Sequence, residues 1–178
     1  MDTELNELMV NMTNLSQVEF RERMTQFAED LANHEESIVR ESYKQNDAID
    51  TINNNKLEHF FGEGTYIRKI TMRKNSVIVS AIHLIEHPFF VMEGKATVVS
   101  PEGLTTITAP YFGMTKPGTQ RLLYIHEDCV WITVHPTDKT DVEEIVNDVI
   151  VGFEEESDAS LLDEIGRALN MSDTKPAV

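Results

Sequence analysis

Tyr66-Ile67-Arg68-Lys69-Ile70-Thr71-Met72-Arg73-Lys74-Asn75-Ser76-Val77-Ile78-Val79-Ser80-Ala81-Ile82-His83-Leu84 sets the architecture. Two β-favouring runs, Tyr66 to Met72 and Val77 to Leu84, flank the polar turn Arg73-Lys74-Asn75-Ser76, and successive side chains in each run must point to opposite faces. The same reading continues outward over Pro88 to Glu93, Lys95 to Val99, Leu104 to Thr108, Gln120 to Ile125 and Cys129 to Val134. Turn signals such as Ser100-Pro101-Glu102-Gly103 and Lys116-Pro117-Gly118 separate these runs. Seven strands in about eighty residues, with no helical pattern between them, exclude a doubly wound α/β sheet. They predict a mainly β fold, a sandwich or small barrel, over residues 51–140.

Outside this block the apolar period becomes helical. Leu5, Leu8, Met9 and Met12 share one helical face. Ser16-Gln17-Val18-Glu19 has capping-box spacing, and Phe20, Met24, Phe27, Leu31 and Ile38 continue a stripe on a helix expected from about Gln17 to about Tyr43. That stripe packs either on the chain's own β module or on a neighbouring subunit; the sustained heptads of a coiled coil are missing. Gln45 to Lys56 reads as a loop. After His135-Pro136, Thr140 and Glu143 form another capping-box pair ahead of the stripe Val142, Ile145, Val146 and Val149. Leu161, Leu162, Ile165 and Leu169 mark a last amphipathic helix before a polar tail. The chain thus divides into a helical arm at 1–50, a β module at 51–140 and a helical arm at 141–178.

The charge follows the same division. Of the net −16 over 178 residues, residues 1–50 carry −8, residues 141–178 carry −9, and the β module carries +1. Such a field repels phosphate backbones, so direct nucleic-acid binding is not expected. No apolar run is long enough for a membrane span, and Met1-Asp2-Thr3-Glu4 does not open a signal peptide, so neither membrane nor secretion is expected. The lone Cys129 has no disulfide partner and fits a reducing compartment.

Ile82-His83-Leu84-Ile85-Glu86-His87-Pro88 followed by Gly94 resembles the first conserved motif of cupins. His83 stands in the slot of the second histidine, His87 in that of the glutamate and Gly94 in the closing position, while Ala81 occupies the slot of the first histidine. The second cupin motif is matched in part by Pro117-Gly118, with Arg121 in its histidine slot. The chain is more closely similar to small cupin-like proteins encoded by tailed bacteriophages. That likeness covers about residues 57–145 and is carried by Gly64-Thr65-Tyr66-Ile67-Arg68, His83 to His87, Ala109-Pro110, Pro117-Gly118-Thr119-Gln120-Arg121 and His126-Glu127-Asp128-Cys129-Val130-Trp131-Ile132-Thr133-Val134-His135. The resemblance implies a cupin-like small β-barrel or jelly roll and a phage origin, and it implies no activity; the N- and C-terminal helical arms lie largely outside it.

By strand parity, His83 shares a face with Val77, Val79 and Ala81, and His87 with Phe89 and Val91. A turn at Ile85-Glu86 brings the two imidazoles together. His126, on the face of Leu122 and Tyr124, and His59, ahead of the first strong strand, complete a possible metal set for one divalent transition metal. The alternative is a polar barrel mouth without metal, favoured by Ala81 and Arg121 in ligand slots. Arg68 and Arg121 are candidates to clamp a small anion; the alternative is ion pairing with Glu86, Glu93 or Glu127. Glu127-Asp128 reads as a hairpin turn rather than an acid–base pair, and Cys129 as a core residue.

Two functions follow as expectations. The first is a non-enzymatic phage structural protein in the virion, a rigid barrel whose arms (Phe20, Met24, Phe27, Leu31, Ile38, Leu161, Leu162, Ile165, Leu169) join it to its own copies or to other virion proteins, with no cofactor. The second is a metal-dependent or small-ligand-binding cupin in the host cytoplasm.

Overall fold

The computed structural model describes residues 3–13, 15–32 and 55–151. In chain order the elements are α1 (Thr3–Asn11), α2 (Gln17–Ala32), β1 (Lys56–Gly62), β2 (Thr65–Met72), β3 (Val77–Val79), β4 (Ile82–His83), β5 (His87–Ser100) and β6 (Gly103–Thr108). They are followed by β7 (Tyr111–Thr115), β8 (Leu122–Pro136), α3 (Val142–Val149) and β9 (Ile150–Val151). Among these residues no helix is long and apolar enough to cross a membrane.

Two long antiparallel strands, β5 and β8, organise the sheet. β8 takes β2 along its second half and β3 along its first; β5 takes β7 along its first half and β6 along its second. One lobe is therefore β1-β2-β8-β5-β7 and the other β3-β8-β5-β6. Met72, Phe89, Val91 and Trp131 from the first lobe form a single core cluster with Ala96, Val98, Ile107, Leu123 and Ile125 from the second. The fold is mainly β and jelly-roll-like, with helices added at both ends, and the sheet does not close on itself.

The expected turn at Arg73–Ser76 is present. Asn75 adopts the left-handed φ of 68°, its N–H donates to the Ile125 carbonyl at 2.7 Å, and Asp128 accepts from the Lys74 N–H at 2.9 Å and from Arg73 at 2.6 Å. Glu127-Asp128 is thus not a hairpin turn. It lies inside β8, and Gln120 to Ile125 and Cys129 to Val134 belong largely to that one strand. Pro88 to Glu93 and Lys95 to Val99 likewise merge into β5. The expected breaks are register irregularities between Val91 and Ala96, which pass the inward face from His87, Phe89 and Val91 to Ala96 and Val98. Conversely, Val77 to Leu84 is interrupted at Ser80-Ala81, so β4 leaves the large sheet and pairs with β9.

Both helical arms begin on their own chain. Ser16 caps α2 as expected: its N–H and hydroxyl donate to the Glu19 carboxylate at 3.0 and 2.7 Å, and its hydroxyl accepts from the Glu19 N–H at 3.3 Å. Met9, Met12, Phe20 and Met24 then pack on Val99, Leu122 and Tyr124, with Phe27 against the same cluster. Phe20 and Met24 are wholly buried within one protomer, so they do not form an open assembly face. Burying each is worth about 2 kcal/mol on the transfer scale. Leu31 lies in α2; Ile38, Leu161, Leu162, Ile165 and Leu169 lie outside the described residues. At α3 the N-cap is Asp141, one residue beyond the expected Thr140, and its carboxylate accepts from the Glu144 N–H at 3.0 Å. Val142, Ile145, Val146 and Val149 are buried as expected, against Tyr66 and Ala81.

Candidate ligand-binding site

The interior of the five-stranded lobe changes character from one cross-strand row to the next. Its deepest row, Leu57, Ile70, Trp131 and Val91, is apolar. The next holds His59, Arg68, Thr133 and Phe89. The last holds Phe61, Tyr66 and His135 in register, with His87 paired to Thr115 on the far side. Polar and titratable side chains are therefore gathered at one end of the core. That end is shut by β4, α3 and β9, where Leu84 N–H donates to the Val149 carbonyl at 2.9 Å.

Here the rings form a line. His83 and His87 have centroids 4.6 Å apart, His87 and His135 4.2 Å, His135 and Tyr66 5.8 Å, and Tyr66 and His59 5.8 Å. The Pro117–Thr119 turn fixes His83, whose N–H donates to the Thr119 carbonyl at 3.0 Å and whose carbonyl accepts from the Gly118 N–H at 2.7 Å. His87 Nδ1–H donates to the Ile85 carbonyl at 3.0 Å, which leaves Nε2 unprotonated and directed into the interior. His135 Nε2 shares a hydrogen bond with Thr133 Oγ1 at 3.1 Å. His59 Nδ1 and the Tyr66 hydroxyl share another at 2.6 Å. His83 Nδ1, His87 Nε2 and His135 Nδ1 are buried without a hydrogen-bond partner.

Burial holds all three imidazoles neutral: His83 well below the ordinary histidine range, His87 at about 4 and His135 at about 3. The charges of Arg68 and Arg121 lower His83 and His87 further, and His135 is lowered by His87 and Arg68. Arg121 reaches in from just before β8. Its Nη1 donates to Thr115 Oγ1 at 3.1 Å and its guanidinium lies over the Phe89 ring, 5.2 Å from the centroid. Gly113 makes room for that ring: a Cβ there would lie 2.8 Å from Phe89 Cε1. Burial pulls Arg121 down to about 10. The carboxylate charge it senses, Glu102, forms no ion pair with it, nor do Glu86, Glu93 or Glu127 among the described residues.

The expected histidine set is thus rearranged. His83 and His87 come together as read, but His126 does not join them. It lies on the outer face, its Nε2 2.7 Å from Thr97 Oγ1 and its ring edge-on to Tyr124. That face runs beneath α1 and α2, which explains why sharing it with Leu122 and Tyr124 points away from the core. His135 takes the place assigned to His126, and His59 stands behind the Tyr66 ring rather than beside the cluster. Among the described residues no three His, Cys, Asp or Glu side chains are arranged to hold a metal ion, and two guanidinium charges oppose a bound cation. The residues do not fit a metal centre. Cys129 is buried in the core, its thiol pushed up to about 11 by desolvation, and is no nucleophile.

Fold and site define a jelly-roll-like protein with a basic, histidine-lined interior end. No protein-family model and no curated protein matches the chain. Among solved structures it is similar to an RmlC-like cupin from Shewanella frigidimarina, at 17% identity over 57% of this chain and 92% of that one, with a TM-score of 0.43. It is also similar to a cupin-2 domain-containing protein from the same organism, at 14% identity over 44% and 76%, with a TM-score of 0.37. A third similar structure is an acetylacetone dioxygenase from Acinetobacter johnsonii, at 15% identity over 58% and 75%, with a TM-score of 0.43.

Proposed function

We propose that the protein is a small-ligand-binding jelly-roll module whose ligand is an anion, a carboxylate or phosphate, held by Arg121 with Arg68. One observation carries this reading. The half-buried guanidinium of Arg121 lies close enough to His83 and His87 for its charge to lower both, and it has no carboxylate in ion-pairing reach among the described residues; a charge drawn partly out of water without a counter-charge is costly. An anion placed there gains charge-assisted hydrogen bonds from the fork of Arg121. The unpartnered ring nitrogens of His83, His87 and His135 supply hydrogen bonds to the ligand's hydroxyl or protonated oxygens. Binding rather than turnover is proposed because His87 and His135, at about 4 and about 3, are poorly matched to general-base work near neutral pH.

The test is thermal unfolding with inorganic phosphate and with small di- and tricarboxylates, at ionic strength held constant with chloride. Ligand at 100 times its dissociation constant raises stability by about 2.7 kcal/mol. Arg121→Gln is expected to stay folded and to lose that rise. No rise with any of these anions, or a rise that survives Arg121→Gln, overturns the reading. A second reading, an assembly component of a virion, is supported by the phage resemblance and by an exposed apolar sheet face among the described residues. Its test is the presence of the protein in purified particles.

A further inference from the structure

The two outer faces of the sheet are treated differently. On the four-stranded lobe, Val99, Leu122 and Tyr124 lie beneath Met9, Met12, Phe20 and Met24. On the five-stranded lobe, the side chains opposite the core include Phe60, Phe90, Met92, Phe112 and Met114, which are 47%, 37%, 54%, 76% and 53% exposed. Pairing makes them one surface. Phe90 is opposite Phe112 and Ile132, Pro88 is opposite Met114, and Ile67 is opposite both Phe60 and Val134.

At about 200 Å² per large side chain, these five exposures amount to about 530 Å² of apolar surface. That is at the upper end of what a monomer ordinarily leaves open, about 300–600 Å². Half-buried Ile67, Pro88, Ile132 and Val134 extend it towards the roughly 800 Å² per partner of a stable interface. The makeup of the face selects the occupant. Glu58 is shared by Lys69 at 2.9 Å and Lys56 at 3.1 Å, and these charges stand on β1 and β2, whereas Phe90, Met92, Phe112 and Met114 stand on β5 and β7. A second copy presents the same apolar side chains to them, and the area approaches that of a stable interface.

We propose that this face is an isologous interface between two copies of the chain, centred on Phe90 and Phe112. An interface of this kind counts every side chain twice, so one substitution acts on both halves.

Sedimentation of the full chain from nanomolar to micromolar concentration tests it. The expected result is a dimer at micromolar concentration. Phe112→Glu with Met114→Glu is expected to raise the dissociation constant at least about 100-fold with an unchanged far-UV spectrum, since both side chains are already open in the protomer. Phe112→Ser gives the same readout should two charges disturb β7. A wild-type chain that is monomeric throughout, or a dimer indifferent to these variants, overturns the proposal. So does hydroxyl-radical protection of Phe112 that is independent of concentration, which would place residues 33–54 or 152–178 of the same chain on the face.

Discussion

Gly94→Ala isolates the feature on which both lobes depend. Gly94 sits where β5 changes register against β8, at φ +84°, and a Cβ added there would lie 2.2 Å from the Asp128 carbonyl oxygen and 2.8 Å from Cys129 Cα. Those atoms are backbone, so no rotamer change relieves the contact. The left-handed conformation costs an alanine about 1 kcal/mol. Separating the two strands by about 1 Å at their crossing sacrifices ladder hydrogen bonds and core packing worth about 3 kcal/mol more. The expected loss is about 4 kcal/mol, which for a chain of this size lowers Tm by about 8–16 °C. Gly62→Ala is the matched control, because its Cβ meets only the Thr65 carbonyl at 4.0 Å and its φ is not left-handed; it should lie within about 0.5 kcal/mol of wild type. The assay is thermal unfolding followed by the single tryptophan, Trp131, which stacks on Phe89 at 4.8 Å in the core. A Gly94→Ala melting point within about 4 °C of wild type, beside a neutral Gly62→Ala, would refute the reasoning.

The histidine cluster predicts acid lability. His87 and His135 are depressed in the folded state to about 4 and about 3, so the stability they contribute is complete above about pH 6.5 and is lost as pH falls through that value towards the folded ones. Tm measured from pH 8 to pH 4 should drop by the equivalent of several kcal/mol, about 1.4 kcal/mol per pH unit for each group. His87→Gln with His135→Gln should flatten the drop; an unchanged slope would show that other groups set it. Phe20→Ala should cost about 3–5 kcal/mol of unfolding free energy through the cavity it leaves over Val99 and Leu122. A dissociating oligomer with unchanged protomer stability would mean that the α2 stripe packs on a neighbour after all.

Strand content and the turn at Arg73–Ser76 were legible because alternation and turn chemistry are local. The continuity of β5 and β8 was not. Glu93-Gly94-Lys95 and Glu127-Asp128 carry polar and turn-forming residues, and on their own they read as ends of strands. What keeps the strands going is the partner: Lys95 pairs with Glu127 across the bulge, and Asp128 is occupied by the Arg73–Ser76 turn. β1 and β7 were missed for a related reason. Lys56–Gly62 follows an asparagine-rich stretch and Tyr111–Thr115 is centred on Gly113, so neither is marked by a long β-branched run; each forms as an edge on a strand already in place.

The same distinction explains the histidine that was misplaced. Parity relates His126 correctly to Leu122 and Tyr124, but parity alone does not say which face is the core when both faces are apolar. Here both are apolar, because α1 and α2 cover the outside of the four-stranded lobe with Met9, Met12, Phe20 and Met24. One signal was available. The inward residues of β8 can be counted back from Trp131, the bulkiest apolar side chain in the strand: Cys129, Trp131, Thr133 and His135 share its parity, and His126 does not. Counted that way, His135 belongs with Phe89 and His87 on the inside, and the paired Tyr66 and Arg68 follow from register. Arg68 and Arg121 then stand near enough to the imidazoles for their charges to lower them, and the charge at that end of the core is positive. A cation is opposed there and an anion is favoured, which is why Arg121→Gln rather than a histidine deletion is the decisive substitution for the ligand.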